Sequence, residues 1–460
     1  MSALPLLAHD RPEAVFAYRA GAAVSCAQFL ADARALARRL PHAGHMLNLC
    51  SDRYRFSVGL AASLLTGKCT LLPSTHTPDT VRQLQVFAPD AFCLTDDPGC
   101  PVELPQLYFD ESSADPEPPA QGPPPPWSMP QIEEGQLAAY VFTSGSTGAP
   151  VPHRKSWGRL VRCVRTEASR LPPLDRGGCA VLGTVPAQHM FGFESTVLMP
   201  WQSGNALCAE RPFFPADIAT ALAALPRPRV LVTTPIHLRS LLAAELALPP
   251  LDLVVSATAM LPANLAREVE RRCGVALLEI YGSTETGQIA VRRTAQEDEW
   301  QLWPGVRLEI IEDRCWVQGG HVEQSTAMSD VLELRGPGRF ILHGRTSDLV
   351  NIAGKRSSIA YLNHHLHAIA GVVDGTFYVP AEPPAAPGGP VTRLAALVVA
   401  PTLDAAAILK ALRERVDPAF LPRPLLLVEA LPRNETGKLP QQALQALAMR
   451  LTAASTDLAR

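Results

Sequence analysis

The apolar run Leu137-Ala-Ala-Tyr-Val141 passes without a break into Phe142-Thr-Ser-Gly-Ser-Thr-Gly-Ala-Pro150, a stretch made almost wholly of hydroxyl residues and glycines. The run has the length and residue types of a buried strand. Glycines let successive backbone N–H groups turn towards one point, and Ser144, Ser146 and Thr147 add uncharged donors. A strand feeding such a loop is predicted to close over a polyphosphate. No lysine directly follows the second glycine, so the spacing excludes the common P-loop of kinases and GTPases. Taken alone, the stretch also fits an ordinary Ser/Gly linker.

The surrounding pattern favours the first reading. Strand-like runs at Met46–Cys50 and Cys69–Pro73 alternate with helical patterns at Cys26–Leu40, Tyr54–Leu65 and Thr80–Phe87. Further runs at Ala180–Val185, Arg229–Thr234, Leu253–Ala259 and Leu277–Ile280 each lead into proline or small polar residues. This alternation predicts an α/β fold, a parallel sheet covered by helices. Ligands of such sheets gather beyond the strand C-termini, where the phosphate loop and Tyr281-Gly-Ser-Thr-Glu285 would both project. Short strands from Ile289 to His343 read as a small antiparallel barrel or sheet. Ser112–Pro130, crowded with prolines that cannot supply ladder N–H groups, reads as a surface insertion.

A chain of 460 residues exceeds one compact core, so at least two domains are expected. Hydrophobic residues at 47% and charged ones at 18% suit a soluble globular protein. A formal net charge of −3 gives no reason to expect nucleic acid or an anionic membrane as partner. No apolar run is long enough for a transmembrane segment, and the N-terminus lacks the form of a signal peptide, so a cytoplasmic location is expected. Ten cysteines are scattered without C-x-x-C spacing, which indicates neither zinc nor a disulfide framework. His364, His365 and His367 point different ways on one helix and are not read as metal ligands.

Three later stretches complete a set: Tyr281-Gly-Ser-Thr-Glu-Thr286, His343-Gly-Arg-Thr-Ser-Asp-Leu-Val-Asn-Ile-Ala-Gly354 and Arg433-Asn-Glu-Thr-Gly-Lys438. In this order the four stretches resemble the signature motifs of the adenylate-forming (AMP-binding) superfamily, which holds acyl- and aryl-CoA synthetases, adenylation domains of peptide synthetases, and luciferases. The resemblance runs over nearly the whole chain. It implies a large N-terminal domain of helix-covered sheets plus a small β-barrel over residues 1–345. A mobile α+β C-terminal lid would follow over residues 346–460, with its hinge near Ser347.

The resemblance also implies roles. Thr143, Ser144, Gly145, Ser146, Thr147 and Gly148 would hold the phosphates; Ser256, Ala257, Tyr281 and Gly282 would face the adenine; Thr284 would meet the α-phosphate. Asp330 would bind the ribose hydroxyls and Arg345 the ribose or phosphates, while Glu285 would help hold Mg²⁺. His189 and Phe193 would join Ser256 and Ala257 in the acid pocket, and Lys438 would be the catalytic lysine. Two departures stand out: Asp330 lacks the usual preceding Thr-Gly, and the lysine common after Gly-x-Pro is replaced by Val151. Lys155 or Arg154 could substitute for it, or the loop could hold pyrophosphate by backbone alone.

The implied activity is ATP- and Mg²⁺-dependent ligation of an aromatic or fatty acid to a thiol, with coenzyme A as acceptor. Two alternatives stay open. One is a stand-alone adenylation enzyme that loads a phosphopantetheine-bearing acyl carrier protein in trans. The other is a nucleotide-binding module without catalysis.

Overall fold

The computed structural model describes residues 2–73, 75–109, 127–144, 150–312, 314–345, 349–352, 355–380, 393–434 and 437–457. Two mixed sheets carry the larger part of the chain. In the first, six strands run in the order Pro150–Ser156, Leu137–Ser144, Cys69–Leu72, His45–Asn48, Phe92–Thr95 and Gln106–Tyr108. Every pair is parallel except the first, an antiparallel hairpin.

The hairpin's second strand is absent from the sequence reading. Pro150 and Pro152 argue against a strand interior, but this strand lies at the sheet edge, where a missing N–H costs no ladder bond.

The second sheet has eleven strands. At its centre Val15–Arg19, Ala206–Cys208, Ala180–Gly183, Arg229–Thr233, Leu253–Ser256 and Leu277–Ser283 run parallel. Ala180–Gly183 and Leu253–Ser256 are buried along their whole length, as strands covered on both faces must be. Gly287–Arg292 then turns back antiparallel and continues the sheet into Trp300–Leu302, Arg339–Arg345 and Asp330–Leu334.

The small barrel expected here therefore divides into two pieces. Part of it extends the large sheet, and Val306–Ile311, Arg314–Gly319 and Thr326–Ala327 form a separate three-stranded antiparallel sheet. No closed ladder links them among the described residues. The open edge of Gly287–Arg292 offers Trp300–Leu302 a ladder, so pairing extends outward.

One large apolar core joins both sheets, with Phe16 stacked on Phe29 at 3.7 Å and Trp157 and Trp201 fully buried. A separate cluster, including Leu362, Leu366, Phe377, Ile408 and Leu412, begins only at Val350. It packs under the sheet Asp374–Tyr378, Ala395–Val399 and Leu425–Leu427. A core of its own is what a separately folded C-terminal lobe requires. Ser347 lies outside the described residues, as does nearly all of the proline-rich insertion.

Candidate active site

Thr143 and Ser144 end the strand that enters the phosphate loop; Gly145, Ser146, Thr147 and Gly148 lie outside the described residues. In the returning strand side chains alternate, so His153 and Lys155 share one face and Arg154 takes the other. His153 Nε2 is 2.9 Å from Thr143 Oγ1 and 3.8 Å from the Glu285 carboxylate. Lys155 is only 4% exposed and donates from Nζ to the Glu285 carbonyl at 3.3 Å. It is thus a buried brace behind the Glu285 turn, while Arg154 is exposed on the opposite face.

Around Lys155 lies an acid cluster that sequence reasoning missed. Burial pushes Glu194 up to about 7, with the Lys155 charge opposing, and pushes Glu167 up to about 8. Cys163 Sγ donates to Glu194 at 3.1 Å. Burial also lowers the Lys155 ammonium, against the pull of Glu194. Lys155 in an amphipathic strand and Glu194 inside an apolar run were the available signals.

The Tyr281 motif is shaped locally. At Gly282 a Cβ would overlap the Gly287 carbonyl oxygen, so only glycine allows this close return of the chain. Ser283 and Thr286 clamp the turn through their hydroxyls, 3.2 Å apart, and Thr286 Oγ1 donates to the Gly287 carbonyl at 2.7 Å. Thr284 and Glu285 are half-buried on that turn. Burial works to raise the Glu285 carboxyl, but its own backbone N–H, Ser283, His153 and Lys155 together hold it below its ordinary value.

Tyr281 donates its phenol to Asp330 at 2.6 Å and packs against both Trp300 and Phe340, with ring centroids at 5.4 and 5.5 Å. Asp330 faces Arg345 across an antiparallel ladder, so three residues distant in sequence meet at one place. Ser256 ends its strand fully buried, and its Oγ has no hydrogen-bond partner among the described residues. Ala257 follows it, and Thr258 next adopts φ +80°, a strained backbone of the kind that gathers at functional sites.

His189 caps the short helix Met190–Gly192 by accepting the Phe191 N–H at Nδ1, 3.3 Å away. Phe193 is fully buried and packs edge-on against Phe56. The segment is held from behind by Arg53, which no sequence pattern singled out. Its fully buried guanidinium donates to the carbonyls of Gly183, Val185, Cys208 and Glu210 and to Thr196 Oγ1. Those carbonyls end two parallel strands, and one arginine satisfies what water would otherwise have to reach.

The lysine-bearing loop of the C-terminal lobe lies over this face. Arg433 grips Asp374 with two bonds of 2.8 Å and donates to the Gly437 carbonyl at 2.9 Å. Asn434 accepts the Lys438 N–H at 2.8 Å. Gly437 rests on Ile236 and Ala259, where a Cβ would stand 3.4 Å from Ile236 Cγ2. Burial, and to a smaller extent the positive charge of Lys438, together lower the His189 imidazole to about 4. Lys438, on the C-terminal lobe, therefore stands within electrostatic reach of His189 on the large lobe.

Residues 6–315 match the family model described as AMP-binding enzyme. The chain belongs to the AMP-binding enzyme family. It is 32% identical to a 4-coumarate–CoA ligase of Rhodobacter capsulatus, over 52% of this chain and 59% of that protein. It is 28% identical to an anthranilate–CoA ligase of Pseudomonas aeruginosa, over 70% of this chain and 69% of the relative. The fold matches ATP-bound MatB from Rhodopseudomonas palustris with a TM-score of 0.79 and 20% identity, covering 95% of this chain and 96% of the other. The family and its CoA-ligase relatives support an AMP-forming acid–thiol ligase.

The donor set of this AMP-binding chain suits Mg²⁺. Glu285 offers a hard carboxylate, 38% exposed, beside the phosphate-loop hairpin. No group of three acidic, His or Cys ligands stands ready among the described residues, so most of the ion's oxygens would come from phosphate and water. No helix among the described residues is long and apolar enough to cross a membrane.

Proposed function

We propose that this protein activates an aromatic carboxylic acid with ATP as an acyl-adenylate and transfers the acyl group to the thiol of coenzyme A. What supports the reading is the AMP-binding family match together with the Lys438-bearing loop, which rests on Ile236 and Ala259 within electrostatic reach of His189. An aromatic acid is favoured by the names of the 4-coumarate and anthranilate relatives.

In the first step a carboxylate oxygen attacks the α-phosphorus and the bond to pyrophosphate breaks. Two anions must approach in line, and Lys438 relieves their repulsion from the small lobe. Thr143, Ser144 and the Gly145–Gly148 loop wrap the leaving pyrophosphate, and Thr284 donates to the α-phosphate. Bound at Glu285, Mg²⁺ would neutralise charge that accumulates on the phosphates. Tyr281 and Gly282 pack on adenine, Asp330 accepts from the ribose hydroxyls, and Arg345 reaches the ribose or phosphates.

His189, neutral at pH 7 because of its burial, orients the acid without adding a competing cation. Ser256 and Ala257 leave room for a flat ring, and the unpartnered Ser256 hydroxyl is free to bond it or the adenine. Phe193 backs this pocket. In the second step the lobe spanning residues 346–460 turns about Ser347, withdraws Lys438, and admits the thiol. The thiolate attacks the acyl carbonyl and AMP leaves.

Acid-dependent ATP–pyrophosphate exchange across benzoate, anthranilate, 4-coumarate, indoleacetate, malonate and octanoate tests the reading. Exchange is expected with one or more ring acids. Failure with the whole panel counts against an active ligase and for a nucleotide-binding module. Supplying coenzyme A or a pantetheinylated carrier protein to the competent acid then identifies the acceptor.

A further inference from the structure

The loop that carries Lys438 is braced in two distinct ways. Within the small lobe, Asp374 takes both bonds of the Arg433 fork at 2.8 Å, and Arg433 in turn holds the Gly437 carbonyl. These partners all belong to one lobe, so they travel together when it rotates. A second cation reaches the same carboxylate from the other side. Arg239, on the helix Pro235–Ala243 of the large lobe, brings Nη2 to 3.8 Å from Asp374 Oδ1.

Arg239 is 17% exposed and Asp374 12%, so water screens the pair only in part. His367, also in the small lobe, stands 3.5 Å from the same oxygen. Elsewhere along the boundary Asn264 Nδ2 donates to the His367 carbonyl at 3.2 Å, Gly437 rests on Ile236 and Ala259, and Ser358 Oγ donates to the His343 carbonyl at 2.5 Å. The Arg239–Asp374 charge pair adds to these contacts and favours this arrangement of the lobes.

We propose that Arg239 is a positioning residue for adenylation, a cross-lobe latch whose guanidinium holds Asp374, and through Arg433 the Lys438 loop, over the nucleotide. The inference rests on the role of Lys438 given above. Rotation of the lobe keeps Asp374 paired with Arg433 and removes only Arg239, so breaking the latch leaves the small lobe intact. Burial already lowers the Arg239 guanidinium and the Asp374 charge opposes this, so the pair is mutually reinforcing. The latch thus weights the two lobe positions, favouring the first half-reaction over the second.

Arg239→Met, which keeps the aliphatic volume, tests the latch in both half-reactions. Pyrophosphate exchange with the best acid of the panel is expected to fall about tenfold, the factor for about 1.4 kcal/mol of lost coupling. Coenzyme A thioester formation from preformed acyl-adenylate should stay within about twofold, and Arg239→Lys should restore most of the exchange. Equal loss in both half-reactions, or loss in neither, overturns the inference.

An activity-independent readout separates it from the ligase reading. Dyes attached through non-canonical residues at Arg267 and Lys410 report the lobe separation, and Arg239→Met should deplete the closed population. An unchanged distribution overturns the latch. A depleted one alongside wild-type protein inactive on every acid upholds the latch and counts against the ligase reading instead.

Discussion

Lys438→Ala is the perturbation that most directly probes the chemistry. Lys438 is exposed, yet its charge reaches His189 and joins burial in lowering that imidazole to about 4. Removing one preorganised charge-stabilising donor costs on the order of 10²–10³ in rate. Because the ammonium is open to water before substrates bind, the lower end applies, about 10²-fold or about 2.7 kcal/mol. Pyrophosphate exchange at saturating ATP and acid measures this, and thioester formation from supplied acyl-adenylate should suffer much less.

The same variant has a readout without turnover. Burial is the larger of the two causes acting on His189, so loss of Lys438 should raise its pKa by less than half of the gap between about 4 and 6.5. Imidazole resonances followed by NMR during a pH titration give that value. Unchanged exchange together with an unmoved His189 would refute the placement of Lys438 in the reacting centre.

Other outcomes follow from the buried charges. Lys155→Met removes the donor to the Glu285 carbonyl and should raise the KM for Mg·ATP more than it lowers kcat, with a stability loss of about 1–3 kcal/mol in urea unfolding. Tyr281→Phe deletes the 2.6 Å bond to Asp330 and should weaken ATP binding severalfold, measured by calorimetry. Thermal stability should fall on both sides of about pH 6. His189, His237 and His321 are each lowered by burial to about 4, so their contribution is present above 6.5 and lost as pH falls towards 4. Glu194 and Glu167 are raised, so theirs is full below 4.5 and lost as pH rises through about 7 and about 8. Glu167→Gln should flatten the alkaline fall of Tm, and an unaltered alkaline limb would refute this account.

What the sequence by itself determined was the layered α/β architecture and the family. The strands Ala180–Gly183 and Leu253–Ser256 are legible locally, because continuous burial on both faces demands short, mostly apolar runs. The motif at Gly282 is equally local, since the chain's return to Gly287 leaves no space for a side chain. Edge and pairing choices were not legible. The strand Pro150–Ser156 went unread because its prolines are tolerated only at a sheet edge, a place that pairing decides, and the antiparallel barrel or sheet expected after Ile289 became partly an extension of the large sheet.

Tertiary structure alone decided where the charges went. The sequence leaves Lys155, Arg154 or the loop backbone alone to replace the missing lysine, and strand alternation turns Lys155 inward to the Glu285 carbonyl and Glu194. Arg53 and the Arg239–Asp374 pair depend on partners more than a hundred residues away. Burial depth and through-space partners set the state of a charged group, and neither is written in its neighbours along the chain.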